Sequence, residues 1–168
     1  MLTETLNWSE SAVVRPDEQR PAPDARTETA TNLLLDFVRR LNDAAVPYCI
    51  LHGYEDMPAS WHSDIDFCVE HGQLRLAVDL LETSAKRTGW AICNLLEHEQ
   101  CALGVVLARQ SAAGALDVVI FDICSDYRYN GVLYFEASTL LAGRWARNGL
   151  SVSAPDVELA YLLTKRTL

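Results

Sequence analysis

A chain of 168 residues, 49% apolar and carrying a formal net charge of −9, is long enough to bury one core. It is too acidic to be held to extended nucleic acid by a basic surface, although a small nucleotide met by local basic groups is compatible with it. No apolar run approaches the roughly 18 residues of a membrane span, the N-terminus lacks a signal-peptide pattern, and five cysteines without metal or redox spacing fit buried free thiols in a reducing, cytoplasmic setting.

In chain order, residues 1–28 lack apolar periodicity and read as a flexible leader. A single domain is expected over 29–168. It opens with a helix capped near Thr29 or Thr31, with Leu34, Phe37, Val38, Leu41 and Ala45 on one face, and Pro47 stops that helix. Tyr48 to His52 is a short strand ending at Gly53. After a polar loop, Asp64 to Glu70 is a second strand whose alternation sets Asp64, Asp66, Cys68 and Glu70 against Ile65, Phe67 and Val69.

A second helix follows from Leu74 to Ala85, with Gly89 just past its end. Trp90–Leu96, Cys101–Arg109 and Ala115–Cys124 are strand-like. The short "QSAAG" link predicts a hairpin between the last two, and the near-continuous apolarity of all three predicts central strands covered on both faces. Asp126 to Gly131 ("DYRYNG") reads as a turn, Ser138 opens a short helix through Leu141, and Pro155 starts a last helix that runs to the final residue. That helix is still broadly apolar where the sequence stops, which suggests a chain cut from a longer one.

The chemistry concentrates on carboxylates. The alternation around Asp64 and Asp66 fits any sheet with one wet face, but Asp122 lies deep in "VVIFDIC", where an unpaired acid would cost several kcal/mol and calls for a compensating partner such as a metal. Strand alternation sends Asp122 and Asp117 to opposite faces, and Asp117 lies near a hairpin end, so Asp122 is the candidate third acid. Three carboxylates on adjacent strands make an all-oxygen site suited to hard divalent ions. Gly53, at the end of the first strand, permits close approach of a ligand to the backbone.

The order of these pieces, "HGY", then "SDIDF", then "FDI", resembles the nucleotidyltransferase superfamily typified by DNA polymerase beta. More narrowly, "YCILHGYEDMP", "SDIDFCV", "FDICSDYRYNG" and "APDVELAYLLTKR" look like nucleotidyltransferase-like domains encoded in bacterial polysaccharide gene clusters, sometimes ahead of a kinase-like module. The resemblance implies an α+β fold, a mixed sheet with helices packed on one face plus a C-terminal helix.

It also implies transfer of a nucleoside monophosphate from a nucleoside triphosphate to a hydroxyl or phosphate acceptor. Asp64, Asp66 and Asp122 would hold two Mg2+ or Mn2+ about 4 Å apart, with Asp122 also assisting the attacking hydroxyl. Gly53, Tyr54, Arg128 and Lys165 would meet the nucleotide, with Arg144 and Arg166 as further basic candidates. Tyr54 departs from the small Ser or Gly usual at its position, and a phenol there would crowd or redirect the phosphates. This departure favours a second reading, a degraded nucleotide- or phosphosugar-binding domain that serves a neighbouring kinase-like module. A third reading takes the D-x-D pair as the metal motif of a sugar-nucleotide glycosyltransferase.

Overall fold

The computed structural model describes residues 25–61, 64–112 and 114–167. The first helix, α1 (Ala25–Asp43), begins earlier than the hydroxyl caps predict and buries Leu33, Leu34, Phe37, Val38 and Leu41. Most of the expected leader lies outside the described residues. β1 (Tyr48–Ile50) follows Pro47, and β2 (Ile65–Val69) returns antiparallel to it, with Cys49 opposite Cys68. α2 (Leu74–Thr88) ends on Gly89, whose φ of 79° supplies the left-handed cap that its amide closes onto the Ala85 carbonyl.

β3 (Ala91–Glu99), β4 (Ala102–Gln110) and β5 (Leu116–Cys124) form an antiparallel meander, and β5 then lies parallel to β2. Next come the hairpin β6 (Asp126–Tyr129) and β7 (Val132–Glu136), α3 (Ala137–Leu140), the hairpin β8 (Trp145–Arg147) and β9 (Leu150–Val152), and α4 (Pro155–Thr167). The main sheet has the order β3-β4-β5-β2-β1-β9-β8 and is mixed, so the fold is α+β.

One face packs under α1 and α2. There Phe37 meets Phe67 and Phe121 edge-on at 5.3 and 5.7 Å, and Ile65, Val105, Leu107 and Ile123 close the layer. The opposite face carries a smaller cluster of Cys49, Leu51 and Cys68 under Leu140, Leu141 and Tyr161, so α3 and the C-terminal helix cover only its central strands. Cys124 at the end of β5 packs against this cluster, whereas most residues of β3 are exposed.

Three expectations change. β3 is an edge strand with most residues exposed, because only Trp90, just before it, and Ile92 within it reach the layer under α2. "DYRYNG" is the first strand and loop of a hairpin rather than a turn: Asn130 and Gly131, with φ of 50° and 77°, form its two-residue connection. Asn148–Gly149 makes the same kind of connection between β8 and β9, a hairpin the sequence reading did not register. Of the five free cysteines, Cys93 is exposed, because it stands on the edge strand.

Candidate functional site

Pairing of β2 with β5 decides the site. The strands are parallel and Asp66 stands in register with Asp122, so the two carboxylates leave the same face side by side. Asp64 directly precedes β2, and its charge is felt at Asp122. Asp117 is on the other face, 3.5 Å from Arg109, its cross-strand partner.

Burial falls on the other member of the pair from the one expected. Asp66 is the enclosed acid, its side chain 10% exposed, whereas the Asp122 side chain is 34% exposed. The reason is α4, which crosses the face over Asp66 and leaves the β5 side open. Tyr161 and Lys165, one helical turn apart on α4, both come down on Asp66.

Asp66 is correspondingly well satisfied. The Lys165 ammonium donates to both carboxylate oxygens at 3.0 and 3.2 Å, the Tyr161 hydroxyl donates at 3.1 Å, and His52 Nε2 lies 2.7 Å from Oδ2. The His52 and Tyr161 rings stack at 5.7 Å, and the ammonium sits 5.5 Å from the Tyr161 ring centre. Burial alone would raise the Asp66 carboxyl, but the His52 hydrogen bond and the Lys165 charge outweigh it and hold the group below its ordinary value. Tyr161 pays in the other direction: burial and the Asp66 charge push its hydroxyl well up. Asp122 is raised by burial first and then by the charges of Asp66 and Asp64, against which His98 and Lys165 act more weakly.

Asp66, Asp122, Tyr161 and Lys165 line a cleft of about 250 Å³, whose far wall includes His98, Tyr127 and Arg128. Arg128 Nη2 is 3.7 Å from Asp126 Oδ2, and Asp126 also accepts the Ala137 amide at the start of α3. Lys165 and Arg128 are therefore the two basic candidates at the cleft. Arg144 lies in a different pocket with Trp145 and donates to the Leu141 carbonyl, and Arg166 is exposed on α4.

Gly53 and Tyr54 are not among the lining residues. Gly53 adopts φ 69° and an added Cβ there meets nothing within 4 Å, so it is the backbone conformation that asks for glycine. Tyr54 is buried in the core beneath α1, where its hydroxyl donates to Glu158 at 2.5 Å. Burial and Glu158 push that phenol up to about 12. Trp61 packs on the same core, and His62 lies outside the described residues.

Carboxylate oxygens at Asp64, Asp66 and Asp122 are the donor type Mg2+ takes. Among the described residues, however, no three His, Cys, Asp or Glu side chains are gathered as a metal needs, and both Asp66 oxygens are engaged by Lys165. The donor type suits the ion, while Lys165, Tyr161 and His52 hold the Asp66 oxygens in this structure.

Sequence reasoning left His52 and Tyr161 without a role. Tyr161 had one available signal, its position a turn before Lys165 on a helix; His52 had its place beside Gly53 at a strand end, where an isolated imidazole is more often structural or exposed.

No protein-family model matches the chain, and no curated protein matches it. Its fold is similar to the crystal structure of JHP933 from Helicobacter pylori, with a TM-score of 0.53 at 10% identity over 83% of this chain. The chain spans 56% of that protein's length, and at this identity the likeness speaks to the fold alone.

Proposed function

We propose that the cleft is a nucleotidyl-transfer site, moving a nucleoside monophosphate from a nucleoside triphosphate to a hydroxyl or phosphate acceptor, in bacterial polysaccharide biosynthesis. The observation that carries this reading is the Asp66–Asp122 register pair, with Asp64 near enough to raise Asp122, opening on a cleft that holds Lys165 and Arg128. The acceptor oxygen bonds to the α-phosphorus, its proton passes to Asp122, and pyrophosphate leaves with the electrons of the broken P–O bond. Lys165 and Arg128 bind the phosphates as cations. Mg2+ or Mn2+ held by Asp64, Asp66 and Asp122 would supply neutralisation of the phosphate charge. Nucleoside triphosphates and free thiols both belong to a reducing interior, so the reading puts the protein in the cytoplasm.

The test incubates the protein with Mg2+ or Mn2+, each labelled nucleoside triphosphate, and a panel of hexoses and hexose phosphates, following pyrophosphate. Asp64→Ala and Asp66→Ala, checked for folding by circular dichroism, should lose release by 100-fold or more, on the order of a lost transition-state contact. Wild-type release no greater than theirs overturns the reading. A second reading, a nucleotide- or phosphosugar-binding domain serving an adjacent kinase-like module, is favoured by the Lys165 ammonium on both Asp66 oxygens. It expects thermal stabilisation by nucleotide without metal and no pyrophosphate.

A further inference from the structure

β3 carries a bulge beside the cleft. Leu96 pairs with Gly104 and Glu97 with Leu103, but the next pair is Glu99 with Ala102, so His98 is the extra residue. Bulges re-aim side chains, and His98 Nε2 stands 3.9 Å from Asp122 Oδ1. Between them lies Gly104, the cross-strand partner of Asp122.

Gly104 has no left-handed backbone to explain it. What it provides is clearance: an added Cβ would stand 2.8 Å from His98 Nε2 and 3.0 Å from Asp122 Oδ1, too close to both. Glycine inside a strand marks such close approach. The side chains it separates reach solvent, His98 at 55% and Asp122 at 34% exposed, and both line the cleft. The two features converge: an extra residue turns an imidazole toward the candidate proton acceptor, and a missing side chain keeps the space between them.

We propose that this notch, floored by Gly104 and flanked by His98 and Asp122, is the acceptor subsite, that it takes a small sugar-like hydroxyl compound, and that His98 positions the attacking hydroxyl against Asp122. The proposal rests on the nucleotidyl-transfer reading. A neutral imidazole offers one N–H and one acceptor nitrogen, so His98 holds the hydroxyl oxygen or its neighbour while the proton points to Asp122. In the step itself the acceptor O–P bond forms, the bond to pyrophosphate breaks with its electron pair leaving on pyrophosphate, and Asp122 takes the proton. A net charge of −9 disfavours a polyanionic polymer as acceptor.

Steady-state kinetics on the full chain test it, using whichever hexose or hexose phosphate of the panel supports pyrophosphate release. His98→Ala should raise the acceptor KM about tenfold while the nucleotide KM stays within about twofold, the signature of lost acceptor binding. His98→Gln, which keeps a hydrogen-bonding tip, should recover part of the loss. Gly104→Ala meets only the movable ends of two side chains and needs no unusual backbone, so it should keep the wild-type melting temperature and still raise the acceptor KM. Unchanged acceptor KM in both His98→Ala and Gly104→Ala, or a loss shared equally with the nucleotide, overturns the subsite. A wild type that releases pyrophosphate only to water overturns the sugar-like acceptor while leaving nucleotidyl transfer intact. One that releases none overturns both.

Discussion

Two aspartates are buried almost equally, Asp36 at 6% and Asp66 at 7% exposed, yet their surroundings make them different objects. Asp36 lies on α1 and accepts from Arg39 and Arg40 of its own helix and from Arg87 of α2, at 2.8 to 3.0 Å. Burial would raise its carboxyl, but hydrogen bonds from Arg40, Arg39 and Ser84 bring it down to about 2. All three guanidiniums close on one acid between two helices, which makes a clamp. Asp66 also has its charge answered, by Lys165, His52 and Tyr161, but it stands beside a second carboxylate and opens on a cleft. A satisfied buried acid therefore says little about function; what separates these two is the like-charged neighbour at Asp66, an arrangement that costs stability and stands at the mouth of a space.

Removing the clamp should show the largest effect on the fold. Asp36→Ala is expected to cost about 2 kcal/mol, the scale of charge-assisted hydrogen bonds lost from a buried acceptor, or roughly 4–8 °C in melting temperature for a chain of this size. Because the folded carboxyl lies below its unfolded value, that stability is present above about pH 4 and fades as pH falls toward about 2. Melts of both proteins at pH 7 and pH 2.5 check it. A wild-type advantage that persists undiminished at pH 2.5 would sink the clamp account, and any change in transfer by folded Asp36→Ala would erase the contrast with Asp66.

The site's own cation gives a smaller effect. Lys165→Met takes the ammonium off both Asp66 oxygens, which keep Tyr161 and His52, and removes a cation from the cleft. Thermal stabilisation by Mg2+ should be larger in the variant than in the wild type, while the nucleotide KM rises about tenfold, equivalent to about 1.4 kcal/mol. Equal metal responses would mean that Lys165 does not hold Asp66 in solution.

What was legible beforehand follows the range of the signal. The α1 stripe from Leu34 to Leu41, the cap at Gly89 and the shared face of Asp66 and Cys68 are local signals, read within a few residues; Ala45, expected on the stripe, lies past the helix end and is exposed. That Asp122 belongs beside them came from an apolar run around one acid, but its depth was misjudged, because cover on that face comes from α4, more than thirty residues later. β3 was misplaced for a related reason: apolar content does not say how far α2 reaches across the sheet. Lys165 and Tyr161 stand 99 and 95 positions from Asp66, and only the folded sheet makes them its partners. Both Asn-Gly hairpins are local and readable: the first reads as an isolated turn when its second strand, Val132–Glu136, goes unassigned, and the second carries the same signal at Asn148 and Gly149.

The finest test sets the two site acids against each other. Asp122 is raised by burial and by Asp66 and Asp64, so its ionised form opposes folding: stability is lost as pH rises from the unfolded value toward the folded one. Asp122→Asn removes that repulsion without changing shape. With allowance for the partial exposure of the side chain, it should melt roughly 1–3 °C above the wild type at pH 7, and the two should converge near pH 3, where the wild-type acid is protonated. Asp66 is lowered, so the sign reverses: Asp66→Asn gives up favourable contacts with Lys165 and His52 and should melt below the wild type at pH 7. Opposite signs for substitutions at neighbouring register positions are what a held acid beside a strained one requires. Two shifts of the same sign would mean that the pair behaves as one buried charge, and the distinction between Asp66 as anchor and Asp122 as proton acceptor would fall with it.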